Sequence, residues 1–278
     1  MIDTHCHIDE EAFAPDREVV IARQREAGVS AMIVPGVNEA SVETVLEVCH
    51  AHPGYCFPAL GLHPEDVKGH WETELAVIEN AIRAHRDQLV AIGEIGLDYY
   101  WDKTYKEQQQ EVLRRQLLLA RELNLPVILH NREATEDILT IVREVTNAQP
   151  STFNAQPSTP LRGVFHCYSG SKETAEQILK MGFYLGIGGV LTFKNSKLAD
   201  TLKDLSESSI FNSQFSIFNC LLLETDAPYM APVPHRGERN ESRWMIHVAE
   251  RLAEVFQCTP EEIIRQTTMN AKQLFGLK

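Results

Sequence analysis

The chain has 278 residues, 44% of them hydrophobic, enough to bury a substantial core. A formal charge of −13 excludes a broad basic surface that coats nucleic acid by charge alone, but not a local site where metal ions supply the positive charge. No apolar run approaches the roughly 18 residues of a membrane span, and no basic-then-apolar leader precedes the first run, so a soluble cytoplasmic protein is expected.

The pattern alternates between short β-rich runs and longer amphipathic stretches. Residues 1–7 (MIDTHCH) are the first run, followed by a helix at 16–27 that Gly28 ends. The second run is 30–37 with a helix at 39–51, and the third is 55–63 with a helix near 71–85. Run four is 89–98 with a long helix from 104 to 123, and run five is 126–132 with a helix at 134–146. Run six is 163–169 with a helix at 172–181, run seven is 183–188 with a shorter helix near 196–206, and run eight is 221–226. A helix at 241–255 follows, and Thr259-Pro260-Glu261-Glu262 opens a last one with an N-cap, a first-turn proline and early acids. Eight strand–helix units predict one (β/α)8 TIM barrel over residues 1–278, with its site at the C-terminal ends of the strands. An open doubly wound sheet is the alternative, but it often carries a glycine-rich phosphate loop, and the chain has no G-x-G-x-x-G.

Two segments break the rhythm. NAQPST occurs at 147–152 and again at 154–159, and SIFN at 209–212 and 216–219, each repeat with a period of seven. The first insertion, about 147–160, reads as a flexible loop. The second, about 208–219, carries Ile210, Phe211, Phe215, Ile217 and Phe218 and is expected to pack against the barrel or a partner. Both lie between a helix and the next strand, on the N-terminal side, away from any site. The six cysteines (Cys6, Cys49, Cys56, Cys167, Cys220, Cys258) include no Cys-x-x-Cys pair and read as reduced thiols.

Chemistry-bearing residues gather at the strand ends. His5 and His7 end the first run, His63 the third, His130 and Arg132 the fifth, His166 the sixth and Asp226 the eighth, while Glu94 lies within the fourth. In a barrel all these ends open on one face, so residues 220 positions apart converge. His5 and His7 share a strand face by the i, i+2 rule. An ionised Glu94 in an apolar, glycine-flanked strand would be costly without a cation or proton. Six donors (His5, His7, Glu94, His130, His166, Asp226) exceed one tetrahedral ion and suit two divalent ions sharing Glu94. Such a pair implies hydrolysis at a phosphoryl or carbonyl centre, with Glu94 and Asp226 as the catalytic carboxylates and Asp226 taking the water's proton. The imidazoles favour Zn, Mn, Fe or Co over Mg.

Arg132 and Arg236, the latter in a cation-rich loop after the eighth run, are expected phosphate contacts together with His63. Arg239 and Arg243 read as helix-start charges. Among Tyr99, Tyr100 and Trp101, which follow the fourth run, Tyr100 is the expected base contact. Asp3 is expected to orient a ligand histidine or a neighbouring polar group. His50, His52, His70, His85 and His247 read as surface or packing residues.

The motifs MIDTHCH (1–7), GLHP (61–64), IGEIGLDYY (92–100), LPVILHNR (125–132), GVFHCYSG (163–170), ETDAPY (224–229) and RGERNES (236–242) resemble the TatD family of metal-dependent hydrolases, within the amidohydrolase-type barrels. The resemblance implies that His5, His7 and Asp226 hold one ion, that His130 and His166 hold a second, and that Glu94 bridges. It also implies phosphate binding by His63 and Arg132, and Mg-supported 3′–5′ exonuclease activity on single-stranded DNA, with RNA ends as a second substrate. Some relatives are linked to D-aminoacyl-tRNA deacylation, and a small-molecule amidohydrolase or phosphoesterase is a further alternative. The working metal is thus open between Mg, Mn and Zn. The expected partner is a nucleic acid substrate, with no membrane, and the expected state is a monomer or weak oligomer.

Overall fold

The computed structural model describes residues 1–147, 160–211 and 216–278. The chain runs β1 (Ile2–Asp3), α1 (Arg17–Glu26), β2 (Ala31–Pro35), α2 (Glu39–Ala51), β3 (Cys56–Leu60), α3 (Trp71–Ala84), β4 (Ala91–Asp98), α4 (Lys106–Leu123), β5 (Val127–Arg132) and α5 (Thr135–Asn147). It continues with β6 (Gly163–Phe165), α6 (Lys172–Lys180), β7 (Tyr184–Ile187), α7 (Leu198–Ser206), β8 (Leu221–Leu223), α8 (Met245–Phe256) and α9 (Pro260–Phe275). Local chemistry sets several boundaries. Asn38 and Ser41 form a capping box at the start of α2, and Thr259 and Glu262 form one at the start of α9, where Pro260 needs no N–H. Gly276 ends α9 at φ 68°, a left-handed turn that suits a residue without Cβ.

The eight strands pair in chain order, each parallel to the next. The first and last meet just past their ends: Thr4 N–H donates to Leu223 C=O at 3.1 Å, Asp226 N–H to His5 C=O at 2.9 Å, and His7 N–H to Ala227 C=O at 2.8 Å. The sheet is therefore a nearly closed barrel, and the helices cover its outside. Several strands are shorter than their apolar runs suggest. β1, β6 and β8 stop one to three residues before His5, His166 and Asp226, so these side chains stand on chain beyond the ladder, where it can splay toward a common centre.

Side-chain alternation divides the core in two. Ile2, Ala31, Ile33, Ala59, Ala91, Ile128, Val164 and Leu222 form the inner layer, closed from below by Ala271, Leu274 and Phe275 of α9. Leu60, Leu62, Ile92, Leu129, Phe165, Leu185 and Leu223 face the helices in the larger outer layer. In the second insertion Ile217 is buried, and Ile210, Phe211 and Phe218 pack on the outer layer. Phe218 meets Phe256 of α8 with ring centroids 5.2 Å apart. The expected packing against the barrel is thus found there, while Phe215 lies outside the described residues. So do residues 148–159, and with them the expected loop of the first insertion. All six cysteines are free, and among the described residues no helix is long and apolar enough to cross a membrane.

Candidate metal centre

Continuing the inner layer upward by twos brings the chemistry into one place. Ala59 leads through Gly61 to His63, Ile128 to His130, Val164 to His166, and Leu222 through Glu224 to Asp226. After β1, Cys6 and Ile8 turn into the outer core, which leaves His5 and His7 inward. β4 departs from strict alternation. Its pairing register with β5 shifts between Ile92 and Ile95, and both isoleucines face outward although they are three residues apart. That irregularity re-aims Glu94, Gly96 and Asp98 to the inside; unbroken alternation from Ala91 would have pointed Glu94 at the helices.

The Glu94 carboxylate stands between two groups of imidazoles. Oε2 lies 3.1 Å from His5 Nε2 and 3.7 Å from His7 Nε2. Oε1 lies 2.7 Å from His166 Nε2, 3.0 Å from His130 Nδ1 and 3.3 Å from His63 Nε2. Asp226 Oδ1 is 3.6 Å from both His5 Nε2 and His7 Nε2. The two imidazole nitrogens of His5 and His7 are 3.1 Å apart, and His130 Nδ1 is 3.3 Å from His166 Nε2. Donors that each sit about 2.1 Å from one ion at tetrahedral or octahedral angles are about 3.0–3.4 Å from each other. The donor set therefore fits divalent metal ions, and three overlapping groups bring their ligand atoms within 4.8 Å of one another: His5–Glu94–His166, His5–His7–Asp226 and His63–Glu94–His130.

Charge is concentrated here. Burial opposes ionisation of Glu94, but His166, His63 and His5 outweigh it and hold the carboxyl well below its usual range. Burial likewise opposes charge on His7 and His130, yet the Asp226 and Glu94 carboxylates raise His7 to about 9, and Asp98 and Glu94 raise His130 to about 10. Burial and the neighbouring His166 lower His5 to about 4. Against its burial, Glu94 raises His166 as well, so without a metal the imidazoles of His7, His130 and His166 favour the protons that balance the carboxylates.

The histidines differ in where their protons sit. His130 Nε2–H donates to Asp98 Oδ2 at 2.9 Å, so the second ring proton sits on Nδ1 toward Glu94, and its loss would free the Nδ1 lone pair for a metal ion. His63 Nδ1 accepts the backbone N–H of Glu65 at 3.2 Å, so its proton sits on Nε2, aimed at Glu94 Oε1. His63 thus enters the cluster as a hydrogen-bond donor, deeper than the rim position expected of a phosphate contact.

Several supporting residues were not singled out by the sequence reading. Asp98 also accepts Tyr100 N–H at 2.8 Å. Gln109 and Gln116, two turns apart on α4, hold the strand ends that carry the site: Gln109 Oε1 accepts Asp98 N–H at 3.0 Å, and Gln116 binds both Leu62 N–H (2.8 Å) and Leu62 C=O (3.1 Å). Glu224, fully buried, accepts Cys167 N–H and faces His166 Nδ1 at 3.9 Å. Burial pushes its carboxyl up to about 8. It occupies the space that a side chain at Gly186 would fill.

Asp3 acts on backbone rather than on a ring. Its Oδ1 accepts the N–H groups of His5 (3.2 Å) and Thr225 (3.1 Å), and its Oδ2 the Thr225 hydroxyl at 2.6 Å. Asn240 Nδ2 donates to Thr225 C=O at 2.9 Å and Tyr229 C=O at 2.7 Å, while its Oδ1 accepts Glu241 N–H at 2.8 Å. Asp226, at φ 58°, lies in the loop so clamped.

At the rim, the Arg132 guanidinium lies 3.7 Å above the Tyr100 ring and 5.3 Å from that of Trp101. Tyr100, the expected base contact, thus already carries Arg132 on one face. Arg236 lies 3.9 Å over Phe193 and pairs with no carboxylate among the described residues; the structure brings neither arginine into contact with the centre. Arg239 pairs with Asp16 at 2.7 Å, and Arg243 with Glu241 at 2.9 Å. Tyr99 is buried and bonded to Asp137 at 3.0 Å, a packing role. His50, His52, His70 and His247 pair with Gln88, Glu18, Glu74 and Glu250, away from the centre.

Comparison with known proteins agrees with this geometry. The family model described as TatD related DNase matches residues 2–276. The chain is 40% identical over its whole length to an uncharacterized metal-dependent hydrolase of Bacillus subtilis, YabD, covering 99% of it. It is 34% identical, over 100% of both chains, to a protein of Erwinia tasmaniensis named 3′-5′ ssDNA/RNA exonuclease TatD. The crystal structure of YjjV, a TatD homologue from Escherichia coli, superposes with a TM-score of 0.85 at 31% identity, over 100% of this chain and 98% of that one. With the barrel, the histidine–carboxylate centre and matches along its whole length in agreement, the chain belongs to the TatD family of metal-dependent hydrolases.

Proposed function

We propose that this protein is a dinuclear-metal phosphodiesterase that removes nucleotides from the 3′ end of single-stranded DNA, and of RNA, in the cytoplasm. The observation that carries the dinuclear reading is the Glu94 carboxylate, whose two oxygens address separate imidazole groups. His5, His7 and Asp226 would hold one ion, His130 and His166 the other, and Glu94 both. The bound ions supply Lewis acidity and make a water acidic enough to attack near neutral pH. Asp226 stays ionised, because His7, His5 and His166 outweigh its burial and lower its pKa, and it accepts the attacking water's proton. On substrate binding His63 turns the Nε2–H that it otherwise gives to Glu94 toward a phosphate oxygen. Arg132, stacked on Tyr100, and Arg236, stacked on Phe193, bind neighbouring phosphates. The polymer assignment rests on the relatives named as ssDNA/RNA exonucleases.

The test is a divalent-metal-dependent assay on single-stranded DNA and RNA labelled at either end, run with Mg, Mn and Zn. Shortening from the 3′ end is expected, and Glu94→Ala and Asp226→Asn should abolish it. Full activity in either variant, or deacylation of D-aminoacyl-tRNA without strand cleavage, would overturn the assignment.

A further inference from the structure

Beside the centre lies a cavity of about 230 Å3 whose walls include Glu65, Lys68, Asp98, Trp101, Asp102 and Tyr105. It shares a wall with the metal centre, because the Asp98 carboxylate that borders it also receives His130 Nε2–H at 2.9 Å. Its volume is below the roughly 300 Å3 at which pockets for drug-sized ligands begin. There is room for one planar ring system, not for a whole nucleotide.

The lining selects among the parts of a nucleotide. Three carboxylates against one ammonium repel a phosphate; Asp98 is held by His130 Nε2–H and Tyr100 N–H, while Glu65 and Asp102 can accept the ring N–H and amino groups of a base edge and Lys68 can donate to a base carbonyl. The aromatic contact is also specific. Trp101 is 68% exposed, on the loop that follows β4. Tyr100 beside it already carries Arg132 at 3.7 Å, whereas the Trp101 ring lies farther from that guanidinium, at 5.3 Å. A large exposed indole at the mouth of a ring-sized cavity is a stacking platform for a base.

We propose that this cavity receives one nucleobase of the substrate strand, stacked on Trp101, so that the adjoining phosphodiester is delivered to the metal centre. The inference rests on the nuclease reading above and adds where the base goes. It replaces Tyr100 by Trp101 as the base contact and makes Trp101 a determinant of affinity.

The test uses metal-loaded protein and single-stranded oligonucleotides that carry either a normal residue or an abasic tetrahydrofuran residue at the last or next-to-last 3′ position. Loss of one stacked base should raise the wild-type KM by roughly 5- to 150-fold. Trp101→Ala should cleave the two substrates with the same KM, and Trp101→Phe, which keeps a ring, should retain part of the discrimination. Equal discrimination by wild type and Trp101→Ala, or none by wild type, would overturn the proposal. If no oligonucleotide is cleaved at all, the nuclease reading fails by itself, and fluorescence decides the subsite. Wild type titrated with a trinucleotide should then be quenched more than Trp101→Phe, whose remaining indoles are Trp71 and Trp244. Identical quenching would sink the base site.

Discussion

Asn240 offers the sharpest test of how the centre is held in place. Its side chain is fully buried and makes three hydrogen bonds to backbone, two of them to carbonyls on either side of Asp226. Asp226 is in the left-handed region at φ 58°, a conformation that disfavours a residue with Cβ by roughly 1–2 kcal/mol. Asn240→Ala leaves two carbonyls and one N–H without their partner. At about 1–3 kcal/mol per unsatisfied buried group, partly relieved by water, the loss is roughly 3–5 kcal/mol. At about 2–4 °C per kcal/mol, the melting temperature should fall by of order 10 °C. Because the released loop carries Asp226, metal affinity should also fall, by about 10- to 100-fold as for other residues that orient a metal ligand. Scanning calorimetry and metal titration by isothermal calorimetry read the two effects on one sample. Asn240→Asp adds a control: it keeps the acceptor for Glu241 N–H but turns carboxylate oxygen toward the carbonyls of Thr225 and Tyr229, so it should be stable only where acid protonates it. A melting temperature within about 2 °C of wild type, with unchanged metal affinity, would refute the clamp.

Other consequences can be checked in the same way. His7 and His130, raised from 6.5 to about 9 and about 10 in the metal-free protein, are protonated at pH 7 and must lose those protons to become ligands. Metal uptake at pH 7 should therefore release at least two protons per chain, with His166, also raised, adding to the release, and affinity should rise as pH climbs toward 9–10; calorimetry in buffers of different ionisation heat measures this, and no release would refute it. The sign for stability is opposite: the raised imidazoles stabilise the metal-free fold below about pH 6.5, and that contribution is lost as pH rises through 9 and 10, which a pH series of metal-free melting curves would show. Asp98→Asn should present an amide N–H to His130 Nε2 and drive the ring proton to Nδ1, weakening metal binding about 10- to 100-fold without comparable loss of stability. Gly186→Ala drives a methyl into the Glu224 carboxylate, and the bond from Cys167 N–H should be lost. Its melting temperature should drop by several degrees, and a neutral result would mean that Glu224 has another place to go.

The candidate metal donors that the structure brings together were legible in the sequence because they extend the inner face of strands whose apolar runs are plain. His130 stands two residues past Ile128, and His166 two past Val164. Glu224 carried the same signal, an acid two residues before Asp226 in the apolar run LLLETD, and the argument that picked out Glu94 would have found it. Asp98, Gln109, Gln116 and Asn240 could not be read this way. Each has a partner, a backbone group or a ring, 11 to 54 residues away in the chain, and composition carries no trace of such pairings. The proposed exchange of Trp101 for Tyr100 has a similar cause: adjacent aromatic residues look alike in sequence and differ in exposure and in what Arg132 covers.

The register shift in β4 makes the site sensitive to chain length. Glu94 points inward at its present height because the interval between Ile92 and Ile95 carries an odd count. Removing Gly93 would leave every donor in the sequence and, with even alternation, Glu94 still inward, yet it would shift the carboxylate by one residue, about 3.3 Å, along the strand and away from imidazoles it now meets at 2.7–3.3 Å. The helix-to-strand connections at the other end of the barrel carry heptapeptide duplications at 147–159 and 209–219 while the eight strands keep their order. Insertions and deletions should therefore be tolerated by whole heptads below the barrel, and not by a single residue in the strand that carries Glu94.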